Sequence, residues 1–252
     1  MALSLFGSNT AVSSTSNSIT APASIAADDL IVMWDCCYGS FFGVPTDVVP
    51  TGFTRLTTNT LNLTDSRAVA SYKKADGSEG GASIVGMNPN EDGSGTGLSN
   101  KIIAVFRDSG GGFATISPSS VSQQITNANP TAQNVAASGG AAPLIVLGFL
   151  GNIHGAVVSP RTWSPAFTAE IGTSSSSAWL GYKFYDSSPA DHSIDMDDEG
   201  NRNVLASCYI ALTVAAAGQP KAKREGGVPF MGQRRGPVGG QVWMPERRLL
   251  AA

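Results

Sequence analysis

The chain has 252 residues, 42% of them hydrophobic and only 14% charged, which supplies ample core material but far less surface charge than the roughly 25% of an average globular domain. Twenty-nine glycines and abundant Ser and Thr favour turns and short strands, and no segment holds the i, i+3, i+4, i+7 apolar spacing of a capped helix. The net charge of −3 is lopsided: residues 219–252 hold seven basic and two acidic side chains, a balance of +5 that leaves −8 on residues 1–218.

Residues 1–24 open with Met1–Phe6, which has neither the basic start nor the apolar length of a signal peptide, and continue as an extended Ser/Thr/Asn/Ala segment. Leu30–Trp34 is the first strand, and its unbroken apolar run predicts cover on both faces. Cys36, Cys37 and Cys208 are too few and too oddly numbered for a disulfide framework. They read as buried free thiols suited to a reducing compartment, with Cys36 and Cys37 on opposite faces of one strand. The loop 39–52 closes on Pro50-Thr51-Gly52, a turn signal just before Phe53. Ala68–Lys74 alternates, with Val69 and Tyr72 as inward anchors, and Asp76-Gly77 ends it. A polar loop is expected at 86–99, a buried strand at Ile102–Arg107, and a break at Gly110-Gly111-Gly112. Residues 117–142 read as an outer strand plus connection. Leu144 begins a new strand, 172–177 and 186–201 read as loops, and Asn203–Val214 is the closing strand.

Four of these segments recur in order. Asp29-Leu-Ile-Val is echoed by Pro143-Leu-Ile-Val, Pro50-Thr-Gly-Phe53 by Pro160-Arg-Thr-Trp163, Ser66 to Lys74 by Ser176 to Phe184, and Ile102-Ile-Ala-Val by Tyr209-Ile-Ala-Leu. A pattern repeated at nearly constant offset marks duplicated architecture. Four strands with one apolar face cannot stand alone, but two copies facing each other bury a shared core. The fold expected is all-β: a jelly-roll or lectin-like antiparallel β-sandwich built from two pseudo-repeated halves, about 28–108 and 143–214. Residues 25–217 form the sandwich and 218–252 an extended basic C-terminal arm.

No catalytic constellation stands out. There is no Gly-x-Ser-x-Gly elbow, and Gly93-Ser-Gly-Thr-Gly97 lacks the Lys-Ser/Thr of a phosphate loop. Two histidines, His154 and His192, without a His/Cys cluster do not make a zinc site. Asp195-x-Asp197-x-Glu199-Gly200 imitates the start of an EF-hand, but its twelfth position is Ala206, where a bidentate Glu is required. Asp195, Asp197 and Glu199 are therefore residues that only a looser calcium site would use. The plainer reading is a solvated acidic loop with His192 a surface histidine beside it. Neither a metal nor a cofactor is expected, and the chain is not read as an enzyme. Trp34, Trp163, Trp179, Phe53, Tyr72 and Tyr182 fall in the repeated segments and read as core rather than sugar-stacking platforms. No run reaches the ~18 apolar residues of a membrane span.

The arm carries Lys221, Lys223, Arg224, Arg234, Arg235, Arg247 and Arg248, interleaved with anchors such as Phe230 and Trp243. A free tail has few aromatics; spaced anchors with cations suit a segment laid across an anionic neighbour. Direct nucleic-acid binding is disfavoured, because no binding motif is present and an acidic body repels phosphate.

Asp29-Leu-Ile-Val, Pro50-Thr-Gly-Phe-Thr, Tyr72-Lys-Lys-Ala-Asp-Gly-Ser-Glu79 and Ile102-Ile-Ala-Val-Phe-Arg107 together resemble a group of tailed-bacteriophage virion proteins. These share a GDLLV…PxGWT…AYKxADGxE…IxAYRG pattern and are labelled tail-fibre or virion proteins. Phe53 stands for the usual Trp, and Arg107-Asp108 for Arg-Gly. The resemblance covers residues 28–108 well, 143–214 more loosely and the arm not at all. It implies a non-enzymatic structural subunit of the virion, a tail-fibre, appendage or head-decoration component, assembled in the bacterial host cytoplasm. Its partners would be further copies of itself, with a trimer one admissible symmetry, and other virion proteins. The alternative is a host-glycan-binding module using the loops 86–99 and 186–201.

Overall fold

Segments rich in Val, Ile, Leu and aromatics form strands, as side chains that suit a pleated, half-buried surface should. The computed structural model describes residues 3–38, 48–57, 61–63, 66–90, 97–126, 130–152, 161–173, 177–196 and 203–214, all within the unit Met1–Ala217. The first half of the chain supplies β1 (Leu3–Ser14), β2 (Ser18–Thr20), β3 (Leu30–Tyr38), β4 (Thr54–Arg55), β5 (Leu61–Leu63), β6 (Ser66–Lys74), β7 (Ser83–Val85) and β8 (Leu98–Asp108). The second half supplies β9 (Phe113–Pro118), β10 (Ser122–Thr126), β11 (Gln133–Val135), β12 (Leu144–Asn152), β13 (Arg161–Ser164), β14 (Ala169–Gly172), β15 (Ala178–Tyr185), β16 (His192–Met196) and β17 (Asn203–Val214). The one helical element among the described residues is a 3-10 turn at Ala137–Gly139.

Two large antiparallel sheets run β1-β8-β3-β6-β4 and β10-β17-β12-β15-β14, with β5 added to β6 and β9 to β17. Two small sheets, β2-β7 and β11-β16-β13, complete the set. The halves share one nested pairing scheme. In the first, β1 pairs β8, β2 pairs β7 and β3 pairs β6. In the second, β9 and β10 share β17, β11 pairs β16 and β12 pairs β15. The repeated scheme reaches strands that the sequence echo does not mark, although β13 has no counterpart among the described residues of the first half.

The large sheets face each other. Leu30, Val32, Trp34 and Cys36 of β3 join Ile145, Leu147 and Phe149 of β12 in the largest buried cluster. The alternate residues of β3, Ile31 and Met33, pack outward against Ile19 of β2 and Ile84 of β7. On the far side, Leu150 and Leu205 pack against Ile194 and Met196 of β16. Each large sheet is thus covered on both faces, which is why β3, β8 and β12 read as continuous apolar runs. Burying one such Ile, Leu or Val side chain contributes about 1.5–3 kcal/mol.

Several local expectations are met. Phe53 N–H donates to Pro50 O at 2.9 Å across a turn whose Gly52 has φ +80°, and Gly77 has φ +94°. Cys36, Cys37 and Cys208 are free and buried, with Cys36 in the inter-sheet core and Cys37 in a separate cluster. Others need correction. Val69 and Tyr72 are three residues apart in a strand and so face opposite ways: Tyr72 packs with Ala68 and Ala70, Val69 with Cys37 and Met87. Residues 1–24, read as a lead-in outside the sandwich, contain β1 and β2. The acidic loop 186–201 contains β16. The echo of Phe53 in Trp163 holds for burial against an outer layer, but Trp163 lies on β13, while β14 takes the edge position that β4 holds.

Candidate functional site

Charged residues of the first half pair with one another. Asp29, which precedes β3, is buried and receives Arg107 from β8 in two parallel contacts: Nε to Oδ1 at 2.8 Å and an Nη2 contact to Oδ2 at 2.6 Å. Arg107 also donates to Ser24 O at 3.1 Å and stacks over Phe6 of β1, 3.6 Å from the ring centroid. Its hydrogen bonds to the Asp29 carboxylate raise the already high Arg107 pKa. A planar guanidinium fits a carboxylate this way where lysine would not.

Lys73 contacts Glu79 at 2.6 Å and Asp76 at 3.2 Å. Glu79 also accepts the N–H groups of Asp76 and Gly77 at 3.2 and 3.1 Å. Burial works against the Glu79 charge, but the Lys73 hydrogen bond and the N–H donors outweigh it and hold its pKa low. Hydrogen bonds from the Ser78 hydroxyl and N–H, then Lys73, bring Asp76 down to about 2. The Asp-Gly-Ser-Glu motif is therefore a self-capped turn.

A third pair is fully enclosed. Asp35 of β3 and Lys101 of β8 are cross-strand partners, with Nζ 2.7 and 2.8 Å from the two carboxylate oxygens. Met87 accepts from Lys101 at 3.0 Å through its carbonyl and donates to Asp35 at 2.8 Å through its N–H. A Cβ on Gly86 would come within 2.2 Å of Asp35 Oδ2, so only glycine lets the backbone close over the pair. Charges interrupting two apolar strands, Asp35 in β3 and Lys101 beside Ile102, were the available sequence signal, and it went unused.

Two hollows of the second half lie on either side of β11. One, of about 500 Å³, is bordered by Ser119–Ser122, Asn134 and Tyr209. The other, of about 360 Å³, is bordered by Asn134, Ser164, Pro165, Asp191, His192 and Ser193. Register places Asn134 opposite Ser193, and Ser193 opposite Ser164. His192, expected at the surface, is only 2% exposed. Its Nε2 lies 2.8 Å from Tyr185 Oη and its ring packs on Phe167. Burial lowers its pKa, and nearby Lys183 adds to this. A backbone hydrogen bond to Pro165 partly opposes this shift. Nothing local in Asp191-His192-Ser193 marks it as interior; β16 turns it inward.

The other sequence candidates are scattered. Asp195 is on β16, opposite Thr162, whereas Asp197, Glu199 and His154 lie outside the described residues, as do Lys221, Lys223, Arg224, Phe230, Arg234, Arg235, Trp243, Arg247 and Arg248. Among the described residues no group of three or more His, Cys, Asp or Glu could hold a metal, and no helix is long and apolar enough to cross a membrane. Trp34 and Tyr182 are buried, and Phe53, Tyr72, Trp163 and Trp179 are half-buried against the cores, as expected of core aromatics. No family model matches the chain, and neither a curated protein nor a solved structure is significantly similar to it.

Proposed function

We propose that the chain is a non-enzymatic structural subunit of a tailed-bacteriophage virion, a tail-fibre, appendage or head-decoration component. It assembles with further copies of itself and with other virion proteins through its terminal segments. One observation carries this reading: the charged residues shared with the virion-protein pattern are engaged with one another. Asp29 holds Arg107, and Lys73 holds Asp76 and Glu79. They brace the fold and leave little for chemistry.

The nested pairings 1·8, 2·7 and 3·6, repeated in the second half, support a jelly-roll reading of each half. Buried free thiols suit assembly in a reducing host cytoplasm. Seven basic side chains in residues 219–252, against a balance of −8 on the rest, make the tail complementary to the acidic body of a neighbouring copy. The test is deletion of residues 219–252. The truncated chain is expected to fold, to melt near the temperature of the full chain, and to be missing from assembled particles. Normal incorporation would refute assembly through the arm.

A further inference from the structure

We infer that the groove astride β11 is a binding site for a neutral saccharide. The inference does not rest on the assembly role, since a structural subunit need bind no sugar. Asn134, Ser193 and Ser164 stand opposite one another on three adjacent strands. Neighbouring strands lie about 4.8 Å apart, so the three side chains make a row about 10 Å long. The residues flanking Ser193, His192 and Ile194, are buried, which turns the row outward. None of the three side chains has a hydrogen-bond partner among the described residues. Asp191, just before β16, accepts from the Ser138 N–H at 2.8 Å through Oδ1 and is also hydrogen-bonded by the Ser138 side chain, so its carboxylate sits charged at the rim of the groove.

The lining selects the class of ligand. Hydroxyls and amides both donate and accept, as sugar hydroxyls do. Among the described residues no Lys or Arg borders either hollow, so a phosphate or sulfate would meet the Asp191 carboxylate with no cation in the lining to pair with it. Tyr209, Val121 and Pro165 supply apolar surface for the C–H face of a sugar ring. Beneath the groove, the buried His192 ring borders the second hollow. Each hollow falls in the roughly 300–1,000 Å³ range of small-ligand sites.

The experiment applies the full chain to an array of hexose, 6-deoxyhexose and N-acetylhexosamine oligosaccharides, with sulfated oligosaccharides alongside, and titrates the best ligand by calorimetry. Asn134 is exposed and borders both hollows, so its variants should fold, which an unchanged melting temperature would verify. Asn134→Trp fills the groove and should abolish binding. Asn134→Ala and Ser164→Val each remove one hydrogen-bonding group and should weaken binding about three- to ten-fold. Three results would overturn the site: no neutral saccharide bound, sulfated ligands preferred, or binding undiminished in Asn134→Trp.

Discussion

The Trp34 indole N–H donates to Leu150 O at 3.1 Å, a bond that crosses from the first large sheet to the second. The Trp34 ring lies 5.2 Å from that of Phe149, and a Cβ added to Gly151 would sit 2.7 Å from Cys36 Sγ. The two duplicated halves are thus keyed together by a bulky residue on one sheet and a missing side chain on the other.

This closeness makes the two positions interdependent. Gly151→Ala should destabilise the fold by about 1–3 kcal/mol through overpacking. In the Cys36→Ala background the same change should cost at least about 1 kcal/mol less. Urea denaturation of the two single variants and the double variant reads the difference; additive effects would mean that Cys36 and Gly151 do not touch.

The enclosed Asp35–Lys101 pair should behave as buried ion pairs do. Lys101→Met alone leaves an uncompensated carboxylate and should cost about 3–5 kcal/mol, whereas Asp35→Leu with Lys101→Met should recover most of that loss. Equilibrium unfolding of both variants decides it.

Acid should loosen the turn after β6. Asp76 is held at about 2 by Ser78 and Lys73, and Glu79 is also held below its ordinary range. A carboxylate with a depressed folded pKa contributes stability that is present above its unfolded pKa and is lost as pH falls through the folded one. For Asp76 the loss should run from about pH 3.8 down to about 2. Melting temperatures across that range should fall less steeply in Asp76→Asn and Glu79→Gln than in the parent.

The thiols should be silent until the fold opens. Burial pushes Cys208 up to about 12 and Cys36 well above its ordinary value, and the thiolate is the reactive form. At pH 8, labelling by a disulfide reagent should therefore follow the rate of global unfolding and accelerate with urea. Rapid labelling of Cys36 or Cys208 in the native protein would show that the inter-sheet core is open.

What could be read in the sequence was the core. Leu30–Trp34 announces a strand covered on both faces and Ile102–Arg107 a buried one, because such strands need apolar residues at nearly every position. The outer layers were harder to see. β2, β7 and β11 are three residues each, too short for periodicity to register, and β16 hides its inward His192, Ile194 and Met196 among acids. The Asn134–Ser193–Ser164 row exists only through pairing between strands far apart in sequence, so no local motif could have revealed it. Asp29 and Arg107 were legible as motif residues, but their partnership across 78 positions was not.

The central claim, assembly of subunits through the basic arm, is tested most directly by zero-length carboxyl–amine crosslinking of assembled particles, followed by peptide mass spectrometry. The expected result joins Lys221 and Lys223 to carboxylates of a neighbouring subunit, with the intersubunit origin established by mixing isotopically light and heavy chains. Crosslinks confined to the lysines' own chain would contradict it.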